Sequence, residues 1–314
     1  MTTDPPSPRR KWHLQRWLLL LAAGFLAYAG WTQYAFRAAL KEARALGWEV
    51  DYTAPVEEIR KNWKAAFKKA TWMDGVRDVH IPTCEAFEQH LAIVHRLNPK
   101  GLRIEFATIL RDLSPLKNLP ALQTVELEFC LRLTNVDGLK NLSALKTVEL
   151  EGCTGLTNVD ALKNLSALKV VSLDGCTGLT NVDALKNLSA LKVVSLNGCT
   201  GLTNVDALKS LSALHTVSLN GCTGLTNVDG LKNLSALHTV ELDRCTGLTN
   251  VDALKNLSAL NQLWLEDCTG LTNVDGLKNL SALSRVWLDG CTGLAKESVA
   301  ALEAALPKAY ISGP

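Results

Sequence analysis

Cysteine is the residue whose placement first suggests chemistry. Cys130, Cys153, Cys176, Cys199, Cys222, Cys245, Cys268 and Cys291 recur every 23 residues, and Cys84 falls on the same phase. Thiols can form disulfides, ligate metals or act as thiolate nucleophiles. No C-x-x-C pair with zinc spacing accompanies them, and no cofactor or metal is expected. Two further pairs share the 23-residue spacing, Trp264 with Trp287 and His215 with His238. Paired indoles could anchor a partner, or could simply stack on each other near the C-terminal end. Paired imidazoles could share a metal or sense pH, although a solvated pair is the simpler reading. No Gly-rich phosphate loop or nucleophile elbow is present, so no catalytic residue is proposed and the chain is read as a non-enzyme.

The elements that would carry these residues follow from the apolar spacing. The unit reads L-x-x-V-x-L-x-x-C-T-G-L-T-N-V-D-A-L-K-N-L-S-A and then restarts, as from Leu168 to Ala190. Val171 and Leu173 alternate with Ser172 and Asp174, the period of a half-buried strand. Beyond Cys176 the apolar residues fall at Leu179, Val182, Leu185 and Leu188, a spacing of three that suits a tight 3-10 return path. A fixed period of this length predicts a solenoid in which each coil buries its apolar face only against its neighbours. Stacked coils put equivalent residues about 4.8 Å apart with parallel side chains, whereas a disulfide needs converging Cβ atoms about 3.8 Å apart. The cysteines are therefore expected as a ladder of reduced, buried thiols, each a weak donor to a turn carbonyl.

The unit L-x-x-V-x-L-x-x-C-x-x-L resembles the leucine-rich repeat, with Cys where many members have Asn. Asp112-Leu113-Ser114-Pro115-Leu116-Lys117-Asn118-Leu119 is similar to the short bacterial, internalin-type repeat, and Leu306-Pro307-Lys308 after an Ala-rich stretch resembles a closing cap of bacterial members. The resemblance covers roughly residues 76–314. It implies an α/β fold, a leucine-rich-repeat solenoid with a parallel sheet on its concave face, helical caps, and binding of proteins or other ligands on that face. Extending the phase backwards places Val79, Ile81, Leu102, Ile104, Leu110 and Leu113 in the core. Phe87, Leu91, Val94 and Leu97 are helically spaced, so 76–98 is expected as an N-terminal cap of one strand and one helix, 99–294 as the repeats, and 295–314 as a C-terminal cap with a helix over 295–306.

Comparing the coils with one another points to a face. The stretch T-G-L-T-N-V-D-A/G-L-K-N-L-S-A-L barely changes, and its lysines (Lys140, Lys163, Lys186, Lys209, Lys232, Lys255, Lys278) interleave with Asp137 and its counterparts as a solvated, mutually neutralised surface. The outward strand positions do change. One runs Glu126, Glu149, Ser172, Ser195, Ser218, Glu241, Trp264, Trp287, and the next runs Glu128, Glu151, Asp174, Asn197, Asn220, Asp243, Glu266, Asp289. Spacing of two keeps both rows on one surface. The predicted concave face has an acidic first zone from Glu105 to Glu151, a hydroxyl- and amide-rich middle, and a last zone pairing the tryptophans with Asp243, Glu266, Asp267, Asp289 and Arg285. Drift among recent duplicates is the competing reading, but it would scatter changes over all exposed positions. The face is expected to bind a protein or peptide, possibly basic. A structural spacer or adhesion element, or carbohydrate binding through the Trp pair, are the alternatives.

Residues 17–36 carry no charge and are long enough to span a bilayer, with Trp17, Trp31, Tyr34 and Phe36 near the ends and Arg9, Arg10, Lys11 and Arg16 before them. They are expected as a single-pass anchor with 1–16 in the cytoplasm and the solenoid outside it, in the periplasm or on the cell surface. The rival is a cleavable signal sequence, with Ala27-Tyr28-Ala29 as its processing site. Residues 37–75, with Trp48, Trp63 and Trp72, are read as a helical linker. A net charge of +2 offers no strong field for nucleic acid, and no nucleic-acid partner is expected. The N-x-S/T matches such as Asn141-Leu142-Ser143 are by-products of the repeat.

Overall fold

A computed structural model describes residues 38–52, 76–81, 87–107 and 109–313. The segments 1–16 and 17–36, Cys84, Trp63 and Trp72 lie outside the described residues. No helix among the described residues is long and apolar enough to cross a membrane.

The fold is a solenoid on one twelve-stranded sheet whose order is the order of the chain. The strands are β1 (Glu49–Tyr52), β2 (Val76–Ile81), β3 (Gly101–Glu105), β4 (Thr124–Glu128), β5 (Thr147–Glu151), β6 (Val170–Ser172), β7 (Val193–Ser195), β8 (Thr216–Ser218), β9 (Thr239–Glu241), β10 (Gln262–Trp264), β11 (Arg285–Trp287) and β12 (Tyr310–Ile311). From β2 onward every pairing is parallel, and between repeat strands each residue faces the one 23 places later, as Val171 faces Val194. From β5 to β10 each coil then turns through Cys-Thr-Gly, makes one 3-10 turn such as Asp160–Leu162, and returns to the sheet. The Asn of T-N-V-D starts that turn by accepting the N–H of the Asp two residues on, as Asn135 Oδ1 does from Asp137 at 2.7 Å. The Leu and Val rows form one continuous core. Leu168, Val171, Leu173, Leu179 and Leu185 are fully buried, and the same places are filled in every coil.

The ends close this core. In α2 (Phe87–Leu97), Ile93, Val94 and Leu97 are buried over the first coil, and the helix stops at Asn98, in the left-handed region at φ 43°, before Pro99. At the other end Val299 and Leu302 of α3 (Lys296–Ala305) cover the last coil. Two features depart from the expected architecture. The 37–75 linker is helical only over 38–45 (α1) among its described residues, and Glu49–Tyr52 is a strand lying antiparallel on β2. Ala39, Ala43 and Trp48 are buried, so this stretch docks on the cap. The C-terminal segment adds a second strand, β12, beyond its helix.

The thiols are free and fully buried, but their acceptor differs from the turn carbonyl expected. Cys199 Sγ donates to Leu173 O at 3.1 Å, and Cys222, Cys245 and Cys268 donate to Leu196, Leu219 and Leu242 at 3.1, 3.2 and 3.0 Å. These are the carbonyls just past the strand of the preceding coil, left over because their usual donors are taken elsewhere. The N–H of Asn197 goes to Asp174 Oδ1, that of Asn220 to Asn197 Oδ1, that of Asp243 to Asn220 Oδ1 and that of Glu266 to Asp243 Oδ1, each at 2.8 Å. An Asp or Asn side chain thus ends the ladder early, and the thiol caps the freed carbonyl. Cys176 and Cys291 donate in the same way to Leu150 O and Leu265 O at 3.0 and 2.8 Å, although Glu151 and Glu266 stand at the capping position. Between β4 and β5, where Glu128 faces Glu151, the strands run to five residues and the ladder continues. Cys130 and Cys153 there sit 3.8 and 3.7 Å from the carbonyls of Glu128 and Glu151 in their own coils.

Candidate functional site

The outward rows share the concave face in register: Glu126 beside Glu149, Trp264 beside Glu241 on one side and Trp287 on the other. The three expected zones differ in how free their side chains are.

The first zone is not simply acidic. Arg103, on the outward row of β3, lies 2.9 Å from Glu105, 3.5 Å from Glu126 and 2.5 Å from Glu128, and His80 Nε2 lies 3.0 Å from Glu105. Sequence reading missed Arg103, although it sits 23 residues before Glu126 and extending the row one coil back would have found it. Glu149 and the exposed Glu151 remain outside that cluster of ion pairs. Partial burial and the charge of Glu126 hold the Glu149 carboxyl above its usual range.

The middle zone is consumed internally. Ser195 Oγ donates to Asp174 Oδ1 at 2.6 Å and Asn197 Nδ2 to Asp174 Oδ2 at 3.2 Å. Buried Ser218 lies 2.6 Å from both Asn197 Oδ1 and Glu241 Oε2, and Asn220 Nδ2 donates to the same Glu241 oxygen at 3.0 Å. Two acids named as ligand candidates, Glu241 and Asp243, are therefore tied into the scaffold. Asp243 accepts the Glu266 N–H, while burial still raises its pKa. Asp and Asn on an outward strand position read equally well as binding groups or as ladder caps, and only coordinates separate the two.

The last zone is the least committed. The rings of Trp264 and Trp287 stack face to face, centroids 4.4 Å apart and planes within 8°. Each remains half-buried, with Arg285 and Asp289 exposed beside them. Tyr310, paired in register with Arg285 and 62% exposed, joins this end and was not anticipated. A cleft of about 250 Å³ lies alongside, lined by Asn220, Gly221, Asp243, Arg244, Glu266 and Asp267. Arg244 and Asp267 hold φ of 58° and 57°, where most coils have glycine, and form an exposed ion pair at 3.5 Å.

His215 and His238 stack with centroids 5.6 Å apart, each Nδ1 2.7 Å from a backbone carbonyl, Ala213 or Ala236. Parallel rings this far apart cannot bring two nitrogens to the roughly 2.0–2.1 Å that one metal ion requires. Among the described residues no group of three or more His, Cys, Asp or Glu could hold a metal.

Comparison with known proteins is consistent with this geometry. A model of the BspA type leucine rich repeat region matches in six copies over residues 108–193 and 174–295. No curated protein matches the chain. Among solved structures, internalin C2 of Listeria monocytogenes is 25% identical, with a TM-score of 0.50, over 63% of this chain and 83% of that one. An internalin, InlF, of the same organism is 19% identical, with a TM-score of 0.44, over 71% of this chain and 72% of its own. The leucine-rich repeat domain of the type III effector XopL is 18% identical, with a TM-score of 0.48, over 100% of this chain and 97% of its own.

Proposed function

Because this chain belongs to the BspA-type leucine-rich repeat family, we propose that it is a non-catalytic scaffold that takes a protein or peptide partner at the Trp264–Trp287 end of its concave face. Proteins of this architecture generally act as interaction scaffolds. The observation that carries the reading is the part-buried indole stack on a face whose middle polar groups are already satisfied by one another. Rigid aromatic surface is what binding hot spots are built from. Glu266, Asp267 and Asp289 and the adjoining cleft favour a basic side chain from that partner. Carbohydrate binding needs free indole faces, and the inner face of each ring is spent on the other. Residues 17–36 would tether this scaffold to a membrane, with the solenoid outside the cytoplasm.

The test begins with capture of a partner from a cell-envelope extract on the full chain. Affinity for that partner is then measured for wild type, for Trp264→Ala with Trp287→Ala, and for a control changed at the convex residues Asn187 and Asn256. The tryptophan variant should lose about tenfold or more and the control nothing, and wild-type binding should weaken as salt rises. Equal affinity across the three proteins would remove the site.

A further inference from the structure

The net charge of +2 conceals a separation of charge across the thickness of the coil. From Leu139 to Val148, and in the matching return limb of every later coil through Val286, there is no carboxylate. Each of these limbs carries a lysine at the end of the 3-10 turn, such as Lys163 or Lys186, and the first three a second just before the strand: Lys146, Lys169, Lys192. His215 and His238 continue that second row, which is locked in register by backbone bonds from Lys169 N to Lys146 O at 2.7 Å and from Lys192 N to Lys169 O at 2.8 Å. The outgoing limbs are the reverse. From Glu149 to Asp160, and in each matching stretch from Glu126 to Asp275, the basic residues are Arg132 and Arg244 alone. Their carboxylates also form two rows, one along the sheet edge (Glu151, Asp174) and one at the start of the 3-10 turn (Asp160, Asp183).

Like charges stacked about 4.8 Å apart repel one another, and a row of them needs compensation. Within the molecule that compensation is small. Among the described residues, the lysines of the return limbs make one contact ion pair, Lys278 with Asp275 at 2.7 Å. The surface that matches the two basic rows in number of rows and in spacing, and in sign except at Asn197 and Asn220, is the outgoing flank of the same protein.

We infer that copies of this chain associate side by side, the basic return flank of one on the acidic outgoing flank of the next. A shift along the strand direction brings the sheet-edge carboxylates against Lys146, Lys169 and Lys192 of the neighbour, and the Asp160 row against the Lys163 row. Because each copy uses two different flanks, the contact does not close on itself, and it builds a row. The outward row that carries Glu149, Ser172 and Trp264 stays open on the concave side. An apolar patch on the outgoing side is covered as well. Phe106 and Phe129 stack there with centroids 5.3 Å apart while 53% and 41% exposed, beside Ile109 and Leu131, each 51% exposed.

The assay is sedimentation velocity of the full chain in neutral detergent at about 20 mM and about 0.5 M salt, bracketing weak and strong screening. Wild type should exceed the protomer mass at low salt and revert to it at high salt. A return-flank variant (Lys163→Glu, Lys186→Glu, Lys209→Glu) and an outgoing-flank variant (Asp160→Lys, Asp183→Lys, Asp206→Lys), each checked for folding by circular dichroism, should each stay protomeric alone. Mixed, they should co-assemble, because the aspartates kept by one meet the lysines kept by the other, and the introduced lysines meet the introduced glutamates. The Trp264→Ala, Trp287→Ala protein should assemble like wild type, which separates this proposal from the binding site above. Wild type that is protomeric at low salt, an assembly that persists at high salt, variants that assemble alone, or variants that fail to recombine would each overturn it. A protomeric wild type retained by a polyphosphate column that the return-flank variant ignores would reassign the flank to polyanions instead.

Discussion

Replacing Cys222 by Ala tests the carbonyl-capping role of the thiols. Cys222 Sγ caps Leu196 O at 3.1 Å, and the N–H that a regular ladder would supply, that of Asn220, is held by Asn197 Oδ1 at 2.8 Å. Cys222→Ala leaves a buried carbonyl without a donor, a cost of about 1–3 kcal/mol, with a small loss of packing in addition. Cys153→Ala should cost about 1 kcal/mol less, because no ladder carbonyl depends on that thiol. A double-mutant cycle makes the argument sharper. Asn197→Ala frees the Asn220 N–H, and in the double variant that N–H can return to the Leu196 carbonyl. The pair should therefore cost less than the sum of the single changes by about 1 kcal/mol. The assay is urea unfolding followed by circular dichroism, with slopes checked for equality between variants. Equal costs at Cys222 and Cys153, together with simple additivity in the cycle, would refute the carbonyl-capping account.

Other expectations follow from the same coordinates. Burial raises the thiols of Cys176, Cys222 and Cys245 to about 12, 11 and 12, so maleimide labelling should be negligible in native protein near pH 8 and complete in denaturant. Because the folded values lie above the ordinary thiol value of about 9, the folded state holds protons that the unfolded chain releases, and the melting temperature should fall as pH rises from about 9 toward 11. Arg103→Gln should destabilise by no more than about 1 kcal/mol at low salt, since the guanidinium is partly exposed, and by less at high salt, where the ion pairs are screened; a loss that grows with salt would contradict the ion-pair reading. Gly152→Ala places a Cβ 2.8 Å from the Phe129 ring at a φ of 64° and should cost about 1–3 kcal/mol in thermal or urea unfolding. A reporter fused after Pro314 should be active only outside the cytoplasm; cytoplasmic activity would overturn the proposed topology.

Much of this architecture could be read from spacing alone, since Val171, Leu173, Leu179, Val182, Leu185 and Leu188 occupy the buried side of the coil for the reason their periods implied. The Cys row was legible as buried, but its acceptor was not, because the carbonyl becomes available only after a side chain one coil of sequence away has claimed the competing N–H. The strand Glu49–Tyr52 is too short and too polar to show a period. On the concave face the indole stack followed from residue type and register. The involvement of Glu241 and Asp243 in the scaffold did not, because an outward carboxylate looks the same in sequence whether it waits for a partner or is bonded to Ser218 and the Glu266 N–H.

The near identity of successive coils also bears on how the chain finds its native alignment. A coil that docks on the wrong neighbour, one unit early or late, still meets Val, Leu and Cys where it needs them, so core packing alone barely penalises the slip. Near-repetitive arrays are prone to such kinetic traps. What distinguishes one junction from the next is the sparse set of unlike contacts: the Phe129 ring over Gly152, Ser218 against Glu241, and the indole of Trp264 on that of Trp287. These contacts act as address labels along an otherwise uniform spring. Erasing them by writing the consensus at each position would leave the coil chemistry intact and cost the chain its means of counting.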